Sequence, residues 1–229
     1  MVCNIGDVQT FQRARSQEQR EVRRQAILDA AAAMLDEMPA SEVSLNELSR
    51  RVGLAKSNVL RYFESREAVL LELLDRAVHR CVAELVDELQ GVDLAGSVVV
   101  RGEAVAAILA AALTRHRVLC DLVAAQPGVL EHNASVDVVL QFKRSSRDNL
   151  ATLAEAVRRC LPEIGVRAEG VCMMAVVMAG AMWSHCQHSA SALAAYELDP
   201  GLGSLRFELP GALHEALATL IAGTLARSS

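Results

Sequence analysis

Lys56, Ser57, Asn58, Arg61 and Tyr62 lie in one short stretch and together offer an ammonium, a guanidinium, an amide and two hydroxyls. That set suits phosphate oxygens, whose charge cations neutralise, and base edges, where an amide or a cation can meet two atoms at once. A helix restarting at about Lys56, with Val59 and Phe63 turned inward at four-residue spacing, leaves these five polar side chains on its outward face. The preceding helix starts at Ser44. Ser44 followed by Glu47 predicts a capping box, in which each side chain satisfies a backbone N–H that the helix start leaves unpaired. Leu45, Leu48 and Val52 share one face, and Gly53 ends the helix where a left-handed residue costs least. Two short helices joined by a tight turn are therefore expected over residues 44–63. The stretch alone fits a helical hairpin in an ordinary all-α core as well as a unit that reaches DNA, since such patterns are short and degenerate.

The flanks favour the second reading. Upstream, Arg20, Arg23 and Arg24 lead into a helix with Ile27, Ala30, Ala31, Met34 and Leu35 at helical spacing, continuing to Met38. Downstream, Ser65 caps a long helix with Leu70, Leu73, Leu74, Ala77, Cys81, Leu85 and Leu89 on one stripe. The run from Arg24, through Val43-Ser-Leu-Asn-Glu-Leu-Ser-Arg-Arg-Val-Gly-Leu-Ala-Lys-Ser-Asn-Val-Leu-Arg-Tyr-Phe, to Leu70 resembles the amino-terminal domain of TetR-family transcriptional regulators. The resemblance implies an all-α, TetR-like fold: a three-helix helix-turn-helix domain over residues 16–66, then a helical effector-binding and dimerisation domain over 67–229. It also implies a homodimeric repressor that holds double-stranded DNA at a palindromic operator and leaves it when a small-molecule effector, of unknown identity, binds the body. Ser44, Tyr62 and Arg66 would then hold phosphates, while Lys56, Ser57, Asn58 and Arg61 meet base edges, Lys56 toward guanine. This chain departs from the family pattern at Ala55, where a Ser or Thr is usual, and at Leu60, where a Tyr is usual. Arg66 replaces a common Lys and keeps the cation.

The chain has 229 residues and 24.6 kDa, enough to bury a substantial core, and it is 52% hydrophobic with only 3% aromatic residues. A core of Ala, Leu and Val suits helix-on-helix packing more than a sheet. Net charge is -5 with pI about 5.7, but the distribution is uneven. Residues 13–66 carry ten Lys or Arg against eight Asp or Glu, whereas 67–229 carry thirteen against nineteen. The start, Met1 to Thr10, lacks a basic segment followed by an apolar one, so no secretion signal is expected and residues 1–15 are read as a flexible arm. The apolar run Val171 to Trp183 falls short of the roughly 20 residues that span a bilayer, so no membrane association is expected. Cysteines at 3, 81, 120, 160, 172 and 186 show no paired spacing and several lie on apolar stripes, which suggests reduced core residues in a cytoplasmic protein.

Beyond a break at Gln90 to Gly96, helices are expected at about 97–114, 115–126, 135–160, 166–188 and 210–226, with stops at Gln126-Pro127-Gly128 and Leu161-Pro162. The segment Leu119 to Ser135 is similar to the carboxy-terminal domain of one subset of the same family. Residues 170–187 are apolar around most of the helix and so must be buried on more than one side. Together with the last helix they are expected to form a four-helix interface between two copies, through Met173, Val177, Ala181, Leu213, Leu217 and Leu220, although the sequence leaves open which face meets the partner. An effector pocket is implied by the resemblance, with Leu119, Phe142, Met174, Met178, Met182 and Trp183, and also Met173, as lining candidates. Such a methionine stripe also serves as plain core. Cys172, His185, Cys186 and His188 include zinc-type ligands, but only the two histidines share a face, so neither a metal nor a cofactor is expected. His116 between Arg115 and Arg117 reads as a solvated cluster at a helix start. No Ser-His-Asp order, phosphate-cradling glycine loop or HExxH motif argues for catalysis. Two rivals remain: a helical small-molecule sensor or carrier that does not use its helix-turn-helix, and an α-helical enzyme dependent on His185 or His188.

Overall fold

The computed structural model describes residues 5–206 and 208–227, with side chains from residue 17 onward. Among the described residues the chain is all-α. Its helices are α1 (Ile5–Glu37), α2 (Leu45–Val52), α3 (Lys56–Val59), α4 (Arg66–Leu89), α5 (Val98–Arg115), α6 (Arg117–Ala125), α7 (Val136–Cys160), α8 (Ala168–Cys186), α9 (Ala190–Leu198) and α10 (Leu209–Ala226). Starts follow their caps: the hydroxyls of Ser44, Ser65, Ser97, Ser135 and Ser189 each accept the N–H three residues on. The expected arm of residues 1–15 is helix from Ile5 onward, while residues 1–4 lie outside the described residues.

Helices α1 to α3 form a small head, and α4 leaves it to enter the body. Ile27, Met34, Leu48 and Val59 are wholly buried there, as the spacing predicts. In the body α10 lies along α5, α7 along α4, and α8 across α6 and α7. Gly180 permits the α6–α8 approach: a β-carbon there would sit 2.6 Å from Val123 Cγ1 and 3.1 Å from the Ala124 nitrogen. Burial pushes the thiols of Cys81 and Cys172 up to about 12 and that of Cys120 to about 11, so these cysteines stay protonated core residues at neutral pH.

Two expectations need correction, and two further features lie beyond them. The second helix of the hairpin is one turn, Lys56–Val59, and continues to Phe63 only as hydrogen-bonded turns. Ala55 provides no side-chain cap, and Ser57 and Asn58 are weak helix formers, so little favours a longer helix. The capping box is half made: Ser44 Oγ accepts from the Glu47 N–H at 3.2 Å, but the Glu47 carboxylate turns to Arg50 and Arg51. Helix α9 and the tight turn Pro200–Leu205 are not foreshadowed by any periodicity; α9 buries none of its residues and therefore has no apolar stripe to read. Finally, Pro162–Cys186 and Leu209–Ala226 are long and apolar enough by composition to cross a bilayer, with mean hydropathies of 1.5 and 1.2. Here both pack on other helices of the body, which bury 39% and 22% of those apolar windows.

Gly53 sits at φ 70° and ψ 30°, and a β-carbon added there would meet nothing within 4 Å, so its role is conformational. Gly53→Ala should destabilise the protein by about 1 kcal/mol through left-handed strain alone. Ala55→Ser should stabilise it by about 0.5–1 kcal/mol by supplying the missing cap. Denaturant midpoints of the two variants check both signs.

Candidate nucleic-acid interface

The turn between α2 and α3 is built by backbone bonds. The Gly53 N–H reaches the Arg50 carbonyl at 3.2 Å and the Leu54 N–H reaches that of Ser49 at 3.0 Å, closing α2 and reversing the chain. Val59 at 0% and Phe63 at 4% exposure anchor α3 and the turn after it. That anchoring fixes the opposite face outward: Lys56, Ser57, Asn58, Leu60 and Arg61 are all exposed, and Tyr62 is half-buried. Among the described residues Lys56 and Arg61 have no carboxylate partner, so their charges are available to an external anion.

Other cations of the head are engaged. Arg24 donates to the Tyr62 carbonyl at 3.0 Å, pairs with Glu72 and stacks over the Phe63 ring at 4.1 Å, tying α1 to the end of the hairpin and to α4. Arg51 bridges Glu37 and Glu47, and Arg50 also holds Glu47. Arg66 donates to the Val43 carbonyl at 2.8 Å and to that of Ser41 at 3.4 Å, and pairs with the buried Glu67 at 3.0 Å. It braces the loop before α2. Ser44 is exposed, with its oxygen accepting the cap bond.

The structure also adds two residues to the site that the spacing of the hairpin does not reveal. Arg20 and Arg23 are exposed on α1, and with Arg61 and Tyr62 they line one broad cleft. The sequence shows three arginines at the head of a helix, but only the fold brings two of them beside Arg61.

Residues assigned to the body separate. Met173 and Val177, each 50% exposed, and the exposed Ala181 follow one another along an open stripe of α8. Leu213 and Leu217 are fully buried against their own subunit, so they belong to the core and not to an interface; Leu220 is half-buried. Apolar residues cover every side of α10, and periodicity could not choose the inward face. The effector candidates are not gathered. Leu119, Phe142 and Trp183 border three different clefts, Met174 is exposed beside Met173, and Met178 and Met182 are half-buried on α8. Cys172 is buried, whereas His185 is exposed near the far end of α8 and His188 meets the Tyr196 ring edge-on at 5.3 Å. His116 Nε2 lies in hydrogen-bond contact with Glu84 at 2.7 Å and Arg115 pairs with Glu88, so that cluster joins α4 to the α5–α6 junction.

Family models match the chain from residue 27 to residue 228. A family model described as bacterial regulatory proteins, tetR family, matches residues 27–73, and one described as tetracyclin repressor-like, C-terminal domain, matches residues 75–228. The HTH-type transcriptional regulator EthR of Mycobacterium tuberculosis is 40% identical over 55 residues, 24% of this chain and 26% of that protein's length. Among solved structures, the fatty acid degradation regulator FadR from Bacillus halodurans is similar with a TM-score of 0.52 at 16% identity, over 88% of this chain and 95% of that one. A protein described as a TetR-family transcriptional regulator from Mesorhizobium loti gives 0.50 at 15% identity, over 90% and 96%. At such identities these two speak to the fold alone.

The Arg50 and Arg51 hydrogen bonds hold the Glu47 carboxyl at about 2, well below its ordinary value of 4.5. A depressed carboxyl contributes stability that is complete above about pH 4.5 and lost as pH falls toward about 2. Glu47→Gln should therefore show a shallower acid loss over that window, read from denaturant midpoints against pH. Arg66→Ala should destabilise the protein by about 1–3 kcal/mol, because it leaves two carbonyls and the buried Glu67 without their donor.

Proposed function

The chain belongs to the TetR family of transcriptional regulators, and we propose that it is a dimeric repressor that binds a palindromic operator and is released by a small-molecule effector. The observation that carries this reading is the exposed set Lys56, Ser57, Asn58 and Arg61, held outward by Val59 and Phe63 and flanked by Arg20 and Arg23. In this reading α3 and the following turn enter the major groove. Lys56 and Arg61 meet guanine, Ser57 and Asn58 reach neighbouring base edges, and Leu60, 41% exposed, covers a thymine methyl where the family usually has a tyrosine. Arg20, Arg23, Tyr62 and the Ser44 hydroxyl hold the phosphate backbone, while Arg66 positions the loop before α2. As a regulator of chromosomal DNA it works in the cytoplasm.

Dimerisation in this account uses the open stripe of α8 with the exposed small residues of α10, Gly211, Thr219, Ala222, Gly223 and Ala226, which allow close helix approach. A two-fold axis there places two heads on successive turns of the duplex, about 34–36 Å apart. Two backbone N–H groups tie each head to its body: Ala40 donates to Asp121 of α6 at 2.6 Å, and Ser135 at the start of α7 donates to Glu64 at 2.6 Å. An effector that shifts α6 or α7 would carry the head with it and change the spacing of the pair.

Selection of bound duplexes from a random pool should enrich an inverted repeat. On that operator Lys56→Ala should lose about 1–3 kcal/mol of sequence preference, whereas Arg23→Ala should weaken all sequences alike and reduce the salt slope by about 1. Unchanged binding in both variants would refute these contacts. Val177→Glu, placing a charge in the apolar stripe, should yield a monomer in equilibrium sedimentation; a dimer as tight as the parent would place the interface elsewhere.

A further inference from the structure

Arg20, Arg23 and Arg24 stand close together in the chain, and the fold gives them different work. Arg20 and Arg23 are exposed in the cleft they share with Arg61, whereas Arg24 is half-buried and fully engaged. Its guanidinium donates to the Tyr62 carbonyl at 3.0 Å, stacks over the Phe63 ring at 4.1 Å and pairs with Glu72 of α4. Glu72 also accepts from Arg76 at 2.8 Å, and Arg76 donates to Gln25 of α1 at 2.8 Å, so the chain of bonds returns to the helix it left.

The element this network holds has little rigidity of its own. Helix α3 is a single turn with no side-chain cap, too short to be stable by itself. Beyond it the chain reaches Phe63 on hydrogen-bonded turns, in which the Arg61 N–H meets the Asn58 carbonyl at 3.2 Å and the Tyr62 N–H meets that of Val59 at 2.9 Å. The Tyr62 carbonyl lies at the open end of those turns, where helical segments leave acceptors unpaired and partial negative charge, and a cation there supplies both a donor and favourable charge. Arg61 is the next residue back, so wherever Tyr62 is held, Arg61 follows. We propose that Arg24 is a positioning residue for sequence reading: touching no DNA itself, it sets where Arg61 stands relative to Lys56, and so governs preference among sequences rather than affinity for duplex DNA in general. Glu72 acts through Arg24 by fixing the plane of its guanidinium. A lysine at position 24 would keep the charge but lack the planar fork that stacks on a ring while meeting two acceptors. The effect on sequence preference rests on the DNA-binding reading; the positioning does not.

Amide hydrogen exchange on the full chain tests the positioning without DNA. Arg24→Lys should speed exchange of the Tyr62 and Phe63 N–H groups by about ten-fold, the worth of one charge-assisted hydrogen bond, and leave those of Leu70 to Leu74 unchanged. Unchanged exchange at Tyr62 and Phe63 would overturn the positioning. With an operator selected from a random duplex pool, Arg24→Lys should lower the ratio of operator to random-duplex affinity by about ten-fold, while random-duplex affinity and its salt slope stay as in the parent. Glu72→Gln separates orientation from charge and decides the matter if Arg24→Lys does not fold. Removing a negative charge should, by charge alone, tighten binding to every duplex, whereas lost orientation lowers the operator ratio. An equal loss on operator and random duplex in Arg24→Lys would make Arg24 a phosphate contact and overturn the proposal, as would an operator ratio unchanged in both variants. A parent protein that enriches no operator would overturn the DNA-binding reading and the effect on sequence preference with it, and the exchange rates would still decide the positioning.

Discussion

Helix α4 runs from the head into the body with buried residues at both ends, and everything else depends on that. Near its start Leu70, Leu71 and Leu74 are buried, and Glu72 and Arg76 bond to Arg24 and Gln25 of α1. Near its end Cys81, Leu85 and Leu89 are buried, Glu84 and Glu88 pair with His116 and Arg115, and the Leu89 carbonyl accepts the Cys160 thiol at 3.3 Å. A helix of 24 residues packed at both ends cannot tilt at one end alone without breaking contacts at the other. It makes the orientation of the head a property of the body.

Around that shaft the connections are few and specific. Arg24 gathers the Tyr62 carbonyl, the Phe63 ring and Glu72 into one node, so the end of the hairpin is fixed to both α1 and α4. Asp121 and Glu64 each accept a backbone N–H across the boundary between head and body, one on each side of the hairpin. Such single charge-assisted bonds stabilise an orientation while remaining few enough for a ligand to redirect them. The exposed face of α3 makes no contribution to the core, which leaves Lys56, Ser57, Asn58 and Arg61 free to vary without cost to packing.

Much of this was legible in the chain. The helical periodicity of Ile27 to Leu35 and of Leu70 to Leu89 placed both supports of the hairpin, and Ser44 and Ser65 marked helix starts because a cap is a local interaction. What could not be read was tertiary. Leu213 and Leu217 lie on a helix apolar on most sides, and only the packing of α10 on α5 and α8 decides that they face inward. Arg66 reads as a free cation until the loop carbonyls of Ser41 and Val43 are brought beside it. Arg20 and Arg23 are distant in sequence from Arg61 and meet it only through the packing of α1 on the hairpin. The shortened α3 reflects a missing cap at Ala55, which the sequence exposed without giving its consequence.

The central claim is that two copies of the α3 face read DNA at a spacing set by α4 and the dimer. Chemical footprinting of the bound protein on its selected duplex tests it most directly. Two symmetric protected patches are expected in successive major grooves, about 34–36 Å apart, each lost with Lys56→Ala and Arg61→Ala combined. A single protected patch, or protection indifferent to those two substitutions, would contradict it.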